Sequence, residues 1–111
     1  MQVPPQACAY EQLGARYDEW CSSVVDDLPL YRSFCAGSRR AIELGVGTGR
    51  VAVEICRSGV QVTGVDAAPS MLDQARARAR AAGVAELLEL VRGDIRALPA
   101  LAPAARVMIP F

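Results

Sequence analysis

"AIELGVGTGRVAVEIC", residues 41–56, decides how this 111-residue chain folds. A short apolar run carries an acid at Glu43. Gly45, Gly47 and Gly49 follow at alternate positions, and a helical apolar pattern starts at once. A strand that enters a helix through glycines can offer bare main-chain atoms to a ligand. Glycine accepts left-handed backbone and has no Cβ to hold the ligand away. In an open parallel sheet such a turn lies beyond the carboxyl ends of the strands, where ligands bind.

Outward from that turn the chain alternates. "RAIELG" reads as a first strand, and Gly49 to Arg57 as a helix stopped by Gly59. "VQVTGVD" is a second strand ending in Asp66. Pro69 to Ala82 is a helix, since proline suits the first helical turn and Gly83 closes the far end. "LLELVRGD" is a third strand, reaching Asp94, and "ARVMIP" a fourth. Strand–helix alternation predicts an α/β, Rossmann-like open parallel sheet with right-handed crossovers, in three layers. Upstream, Pro4-Pro5 keeps residues 1–8 out of regular structure. Tyr10, Leu13, Tyr17, Trp20 and Val24 form one apolar helical stripe. Gly14 weakens that helix, Pro29 interrupts it before "LYRSFCA", and Gly37-Ser38 ends it.

Composition narrows the function. The chain is 52% apolar and 22% charged with zero net charge, so no global field draws nucleic acid or an acidic membrane surface. Arg76, Arg78 and Arg80 spread around their helix instead of forming a stripe. Histidine is absent, which removes the commonest general base and metal ligand. Cys8, Cys21, Cys35 and Cys56 contain no C-x-x-C pair, so no metal site is expected. They read as buried free thiols of a reducing cytoplasm. "MQVPPQACAY" lacks the plan of a secretory signal, and no apolar run approaches the ~20 residues that cross a membrane.

Two glycine fingerprints compete for the turn. A dinucleotide site wants G-x-G-x-x-G, but counted from Gly45 the third glycine position holds Arg50. The observed pattern is E-x-G-x-G-x-G. Glu43 repels a diphosphate and suits a cationic ligand, which disfavours a nicotinamide-dependent oxidoreductase.

"ELGVGTGR" resembles motif I of the class I S-adenosylmethionine-dependent methyltransferases. "VTGVDAAPSML" resembles their second-strand motif, "VRGDIRALP" the third, and "VMIPF" the end of the fourth strand. "YDEW" resembles the N-terminal helix that lids the cofactor in small-molecule methyltransferases. The order and register of these motifs cover most of the chain. They imply residues 1–37 as leader and helical lid, and 38–111 as a partial cofactor domain of strand order 3-2-1-4.

The resemblance also implies roles. Gly45 and Gly47 line the methionine and ribose, Gly49 eases entry to the helix, and Glu43 acts near the methionine ammonium. Asp66 accepts from the ribose hydroxyls, while Ala67 and Met71 pack on the adenine. Asp94 accepts from the adenine amino group, and Ile95 offers its amide to a ring nitrogen and its side chain to the ring face. Tyr17, with Tyr10 second, closes over the sulfonium. Core packing accounts for Met71 and for the stripe of Tyr10, Tyr17 and Trp20 equally well. No catalytic residue is assigned.

Three departures from the family pattern stand out. Ala68 occupies a position that commonly carries a capping serine, and Ala105 replaces a frequent aspartate. "MIPF" replaces the Asn/Asp-Pro-Pro-aromatic end of base amino-methylating enzymes, which points to a small-molecule acceptor and away from nucleic acid. The family's domain normally has seven strands. The expectation is therefore a fragment, one chain of a split enzyme, or a minimal domain that associates through its open fourth strand. A non-catalytic cofactor-binding subunit is the alternative function.

Overall fold

The computed structural model describes residues 27–98 and 100–110. Its elements are α1 (Leu28–Cys35), β1 (Arg40–Leu44), α2 (Arg50–Arg57), β2 (Gln61–Asp66), α3 (Pro69–Ala81), β3 (Leu88–Arg92) and β4 (Arg106–Met108). A 3-10 turn at Ala85–Leu87, which the sequence pattern does not announce, leads into β3. The four strands form one parallel sheet in the order β3-β2-β1-β4. This is the α/β, Rossmann-like topology that the strand–helix alternation predicts.

Strand periodicity sorts the core. Ala41 on β1, Val62 on β2 and Met108 on β4 share a cluster with Val51, Ala52, Ile55 and Cys56 of α2, and with Leu72 of α3. Cys35 of α1 joins it, its thiol 3.9 Å from the Met108 sulfur. The three described helices thus pack against one face of the sheet. Ile42, Leu44 and Val65 point to the other face, where Leu101 and Ala104 of the β3–β4 connection meet them.

The expected three layers are therefore corrected to two among the described residues. The reason is local. The β3–β4 connection contains Pro99 and Pro103, and its described residues form a turn and extended chain where a crossover helix would supply the third layer.

Pro29 sits in the first turn of α1, and Asp27 before it makes no side-chain cap. Arg106 at the start of β4 donates to the Phe34 carbonyl at 3.2 Å and lies 5.5 Å from that ring, tying α1 to the sheet. Leu28 and Tyr31 of α1 pack against the same core cluster that holds Cys35. The leader and the stripe of Tyr10, Tyr17 and Trp20 lie outside the described residues, as do Cys8 and Cys21.

Candidate functional site

The glycine turn joins β1 to α2 at the carboxyl end of the sheet. Gly45, Gly47 and Gly49 have φ of 73°, 57° and 83°, values that an L side chain rarely adopts. The amides of Gly45 and Val46 both donate to the Val65 carbonyl, at 2.7 and 2.9 Å, which staples the turn to the neighbouring strand. At Gly45 an added Cβ would meet nothing within 4 Å, so this side of the turn is open. At Gly49 a Cβ would stand 3.1 Å from the Ala75 Cβ, so this glycine lets α2 approach α3.

Asp66 closes β2 and reaches back to the turn. One carboxylate oxygen accepts from the Gly47 amide at 2.9 Å and the other from the Ala68 amide at 3.0 Å. α3 opens at Ala68 without a side-chain cap, as the alanine there predicts. Each Asp66 oxygen retains one acceptor position, because an ionised carboxylate offers about four.

Glu43 is 2% exposed, with Oε1 buried and without a partner. The Ala52 amide, in the first turn of α2, offsets part of the cost of ionising this carboxyl. Burial pushes the Glu43 carboxyl well above the usual carboxylate range. Arg50 counters that shift, while Asp66 and Asp27 add to it.

Arg50, the residue that breaks the dinucleotide fingerprint, forms a two-pronged pair with Asp27 at 2.8 and 3.0 Å. That pair ties the chain before α1 to the helix that follows the glycines. The Arg50 guanidinium holds the Asp27 carboxyl below its ordinary value.

Asp94 lies just past β3 and is buried. Gly93 donates to the Asp66 carbonyl at 3.0 Å, which seats this turn beside the end of β2. Arg96 engages both Asp94 oxygens and holds the carboxyl below its ordinary value.

The structure therefore gathers Gly45, Gly47, Asp66 and Asp94 at the ends of three adjacent strands. Ala67 is half-buried there and Ile95 is exposed. Met71 is 2% exposed, and Gly49 is buried against α3. Glu43 sits behind the turn instead of in the open. Tyr17 and Tyr10 lie outside the described residues.

Sequence reasoning missed the Asp27–Arg50 pair, the Asp94–Arg96 pair and Gly64. A Cβ on Gly64 would lie 2.7 Å from Val46 Cγ2, so this glycine makes room for the turn. A glycine inside a strand pattern is itself a sign of close approach.

A separate cavity of about 810 Å³ lies at the opposite end of the strands, lined by Arg39, Arg40, Gln61 and Pro103 among others. It has no share in this cluster. Among the described residues no group of His, Cys, Asp and Glu is placed to hold a metal. No described helix is long and apolar enough to cross a membrane.

Comparison with known proteins identifies the family. A protein of Geobacillus sp. (strain WCH70) named as a methyltransferase is 42% identical over 67 residues, 60% of this chain and 26% of that one. The CcbJ methyltransferase from Streptomyces caelestis is 36% identical with a TM-score of 0.67, over 74% of this chain and 33% of that one. The glycopeptide N-methyltransferase MtfA, solved with sinefungin, is 25% identical with a TM-score of 0.68, over 77% of this chain and 35% of its own. The chain thus spans about a third or less of these relatives' lengths. The family model described as "Methyltransferase domain" matches residues 41–109, which run from within β1 through the glycine turn to the end of β4. The chain belongs to the methyltransferase domain family.

Proposed function

We propose that this chain binds S-adenosylmethionine across the ends of β1, β2 and β3 and serves methyl transfer to a small-molecule acceptor. The carrying observation is the position of Asp66. It is bonded to the glycine turn at Gly47, yet keeps one acceptor position on each oxygen for the two ribose hydroxyls. The donor set fits the ligand. Three acids at the strand ends oppose a diphosphate, and the unpartnered Glu43 oxygen favours a cation near the turn.

The cofactor supplies an electrophilic sulfonium methyl for in-line displacement. The chain's own part is positioning, which can supply a large share of the acceleration of such a transfer. Asp66 orients the ribose, Asp94 accepts from the adenine amino group, and Ile95 and Ala67 flank the ring. Glu43 places a carboxyl behind the methionine end, while Gly45 and Gly47 leave the main chain bare. The acceptor reading rests on the "MIPF" end of β4, where base-methylating enzymes carry a different motif, and on the glycopeptide N-methyltransferase as a relative.

We place the protein in the cytoplasm. Cys35 and Cys56 are buried free thiols, and burial pushes Cys56 up to about 11. We propose that the outer edge of β4, where Val107 and Ile109 are exposed, takes a further strand.

Calorimetric titration with S-adenosylhomocysteine and with NAD tests the cofactor. S-adenosylhomocysteine should bind saturably, and Asp66→Asn should weaken it tenfold or more, since bonds to a charged acceptor are worth ~1.5–3 kcal/mol. Saturable binding of NAD alone would overturn the reading.

A further inference from the structure

We propose that Arg96 competes with the purine amino group for Asp94, so that the base reaches this carboxylate by exchanging with the Arg96 guanidinium. The proposal rests on the reading of Asp94 as the adenine acceptor.

Arg96 makes four contacts to the Asp94 carboxylate. Its backbone amide donates to Oδ1 at 2.9 Å and its Nε to Oδ1 at 3.1 Å. Nε also lies 3.2 Å from Oδ2, and Nη2 donates to Oδ2 at 2.8 Å. Three N–H groups, with Nε–H shared between both oxygens, thus take up the roughly four acceptor positions that an ionised carboxylate offers. The contrast with Asp66, which keeps two, is the core of the argument.

The contacts differ in how readily they open. The Arg96 amide bond belongs to the turn itself, which the Ala97 amide and the Asp94 carbonyl close at 2.9 Å and which the Asp94–Ala97 bridge braces. The guanidinium belongs to a side chain 70% exposed, whereas the Asp94 side chain is 9% exposed. An exposed cation leaves for water at little cost. The carboxylate stays where the turn holds it. An incoming 6-amino group donates and can replace a guanidinium N–H. A 6-oxo group accepts only, so it faces the carboxylate with nothing to offer and leaves Arg96 in place. Arg96 thereby sets which purines are worth the exchange.

Calorimetry with two probes at 50 and 500 mM NaCl tests this. The probes are S-adenosylhomocysteine and S-inosylhomocysteine, which carries a carbonyl in place of the amino group. Arg96→Ala should tighten S-adenosylhomocysteine up to about fivefold at low salt, the range an exposed ion pair can withhold. The gain should shrink at high salt, where screening has already loosened the pair. S-inosylhomocysteine should gain nothing.

Arg96→Gln, which retains the backbone bond and loses the charge, should behave like Arg96→Ala. Asp94→Asn should weaken S-adenosylhomocysteine tenfold or more. If Asp94→Asn leaves that affinity unchanged, the adenine assignment fails and takes this proposal with it. If Asp94→Asn weakens binding but both Arg96 variants leave it unchanged or weaker, the assignment stands and the exchange is refuted. An equal gain for both probes would also refute it, because the effect would then be general relief and not competition for one acceptor.

Discussion

Alanine at position 64 should strain the glycine turn from behind. Gly64 faces Val46, and a Cβ built there lies 2.7 Å from Val46 Cγ2, 2.9 Å from its Cβ and 3.1 Å from Cγ1. A new rotamer moves the two methyls but not the Val46 Cβ. That atom is fixed by a backbone whose amide donates to the Val65 carbonyl at 2.9 Å. The turn or the strand must give, at ~1–3 kcal/mol for overpacking of this kind. Against that, alanine recovers ~0.5–1 kcal/mol of the backbone entropy that glycine loses on folding. The net expectation for Gly64→Ala is a loss of about 1–2 kcal/mol. Val46→Ala removes two buried methyls, about 1.6 kcal/mol at ~0.8 each, before any cavity term. In the double variant the closest clash is gone and the new Cβ partly refills the space. Its cost should fall at least about 1 kcal/mol below the sum of the single costs. Urea denaturation followed by circular dichroism measures all four proteins. Affinity for S-adenosylhomocysteine should drop in Gly64→Ala and recover in the double variant. Strict additivity, to within ~0.5 kcal/mol, would show that Gly64 does not make room for Val46.

Two further predictions concern pH. Burial raises the folded value of Glu43, so its contribution to stability is full below about pH 4 and is lost as pH rises from there through the folded value. Glu43→Gln should therefore exceed wild type by on the order of 1–2 kcal/mol at pH 8 and show no gain at pH 4 in urea melts, and a gain equal at both would refute the buried charge. Asp27 has the opposite sign: Arg50 lowers its folded value, so its contribution is full above about pH 4 and is lost as pH falls through the folded value. Asp27→Asn should cost about 1 kcal/mol at pH 7 and progressively less toward pH 3, whereas an equal cost at both would mean the pair carries no stabilising charge.

The elements from Arg40 onward were legible because each depends on neighbours in sequence. Short, largely buried runs ending near an acid mark β1 and β2, and Pro69 and Gly83 bracket α3. The glycines were legible for a similar reason, since a left-handed turn at Gly45, Gly47 and Gly49 excludes other residues on local sterics alone. What stayed hidden depends on distance in space. Nothing local pairs Asp27 with Arg50, although an arginine where a glycine was sought was a visible anomaly. The layering stayed hidden because alternation predicts connections and not the face each one takes. Asp94-x-Arg96 was the most readable of the missed features, an acid and a base two apart beyond a strand. That spacing lets one side chain fold back on the other in a turn.

The three acids at the strand ends do different work, and the differences order the binding event. Glu43 is buried behind the turn, with a carboxyl oxygen that has no partner among the described residues. Asp66 is half committed: its two amide bonds fix it against Gly47 and Ala68 and leave the acceptor positions that a diol requires. Asp94 is wholly committed to Arg96. On the proposed assignment, the ribose and methionine end of the site is prepared before any ligand arrives, while the purine end must exchange one donor for another. Preparation favours affinity, because nothing is reordered on binding. Exchange favours discrimination, because only a base with a donor at the right position recovers what leaves. A site built this way anchors the part of the adenosyl group that many nucleosides share and tests the part that distinguishes them.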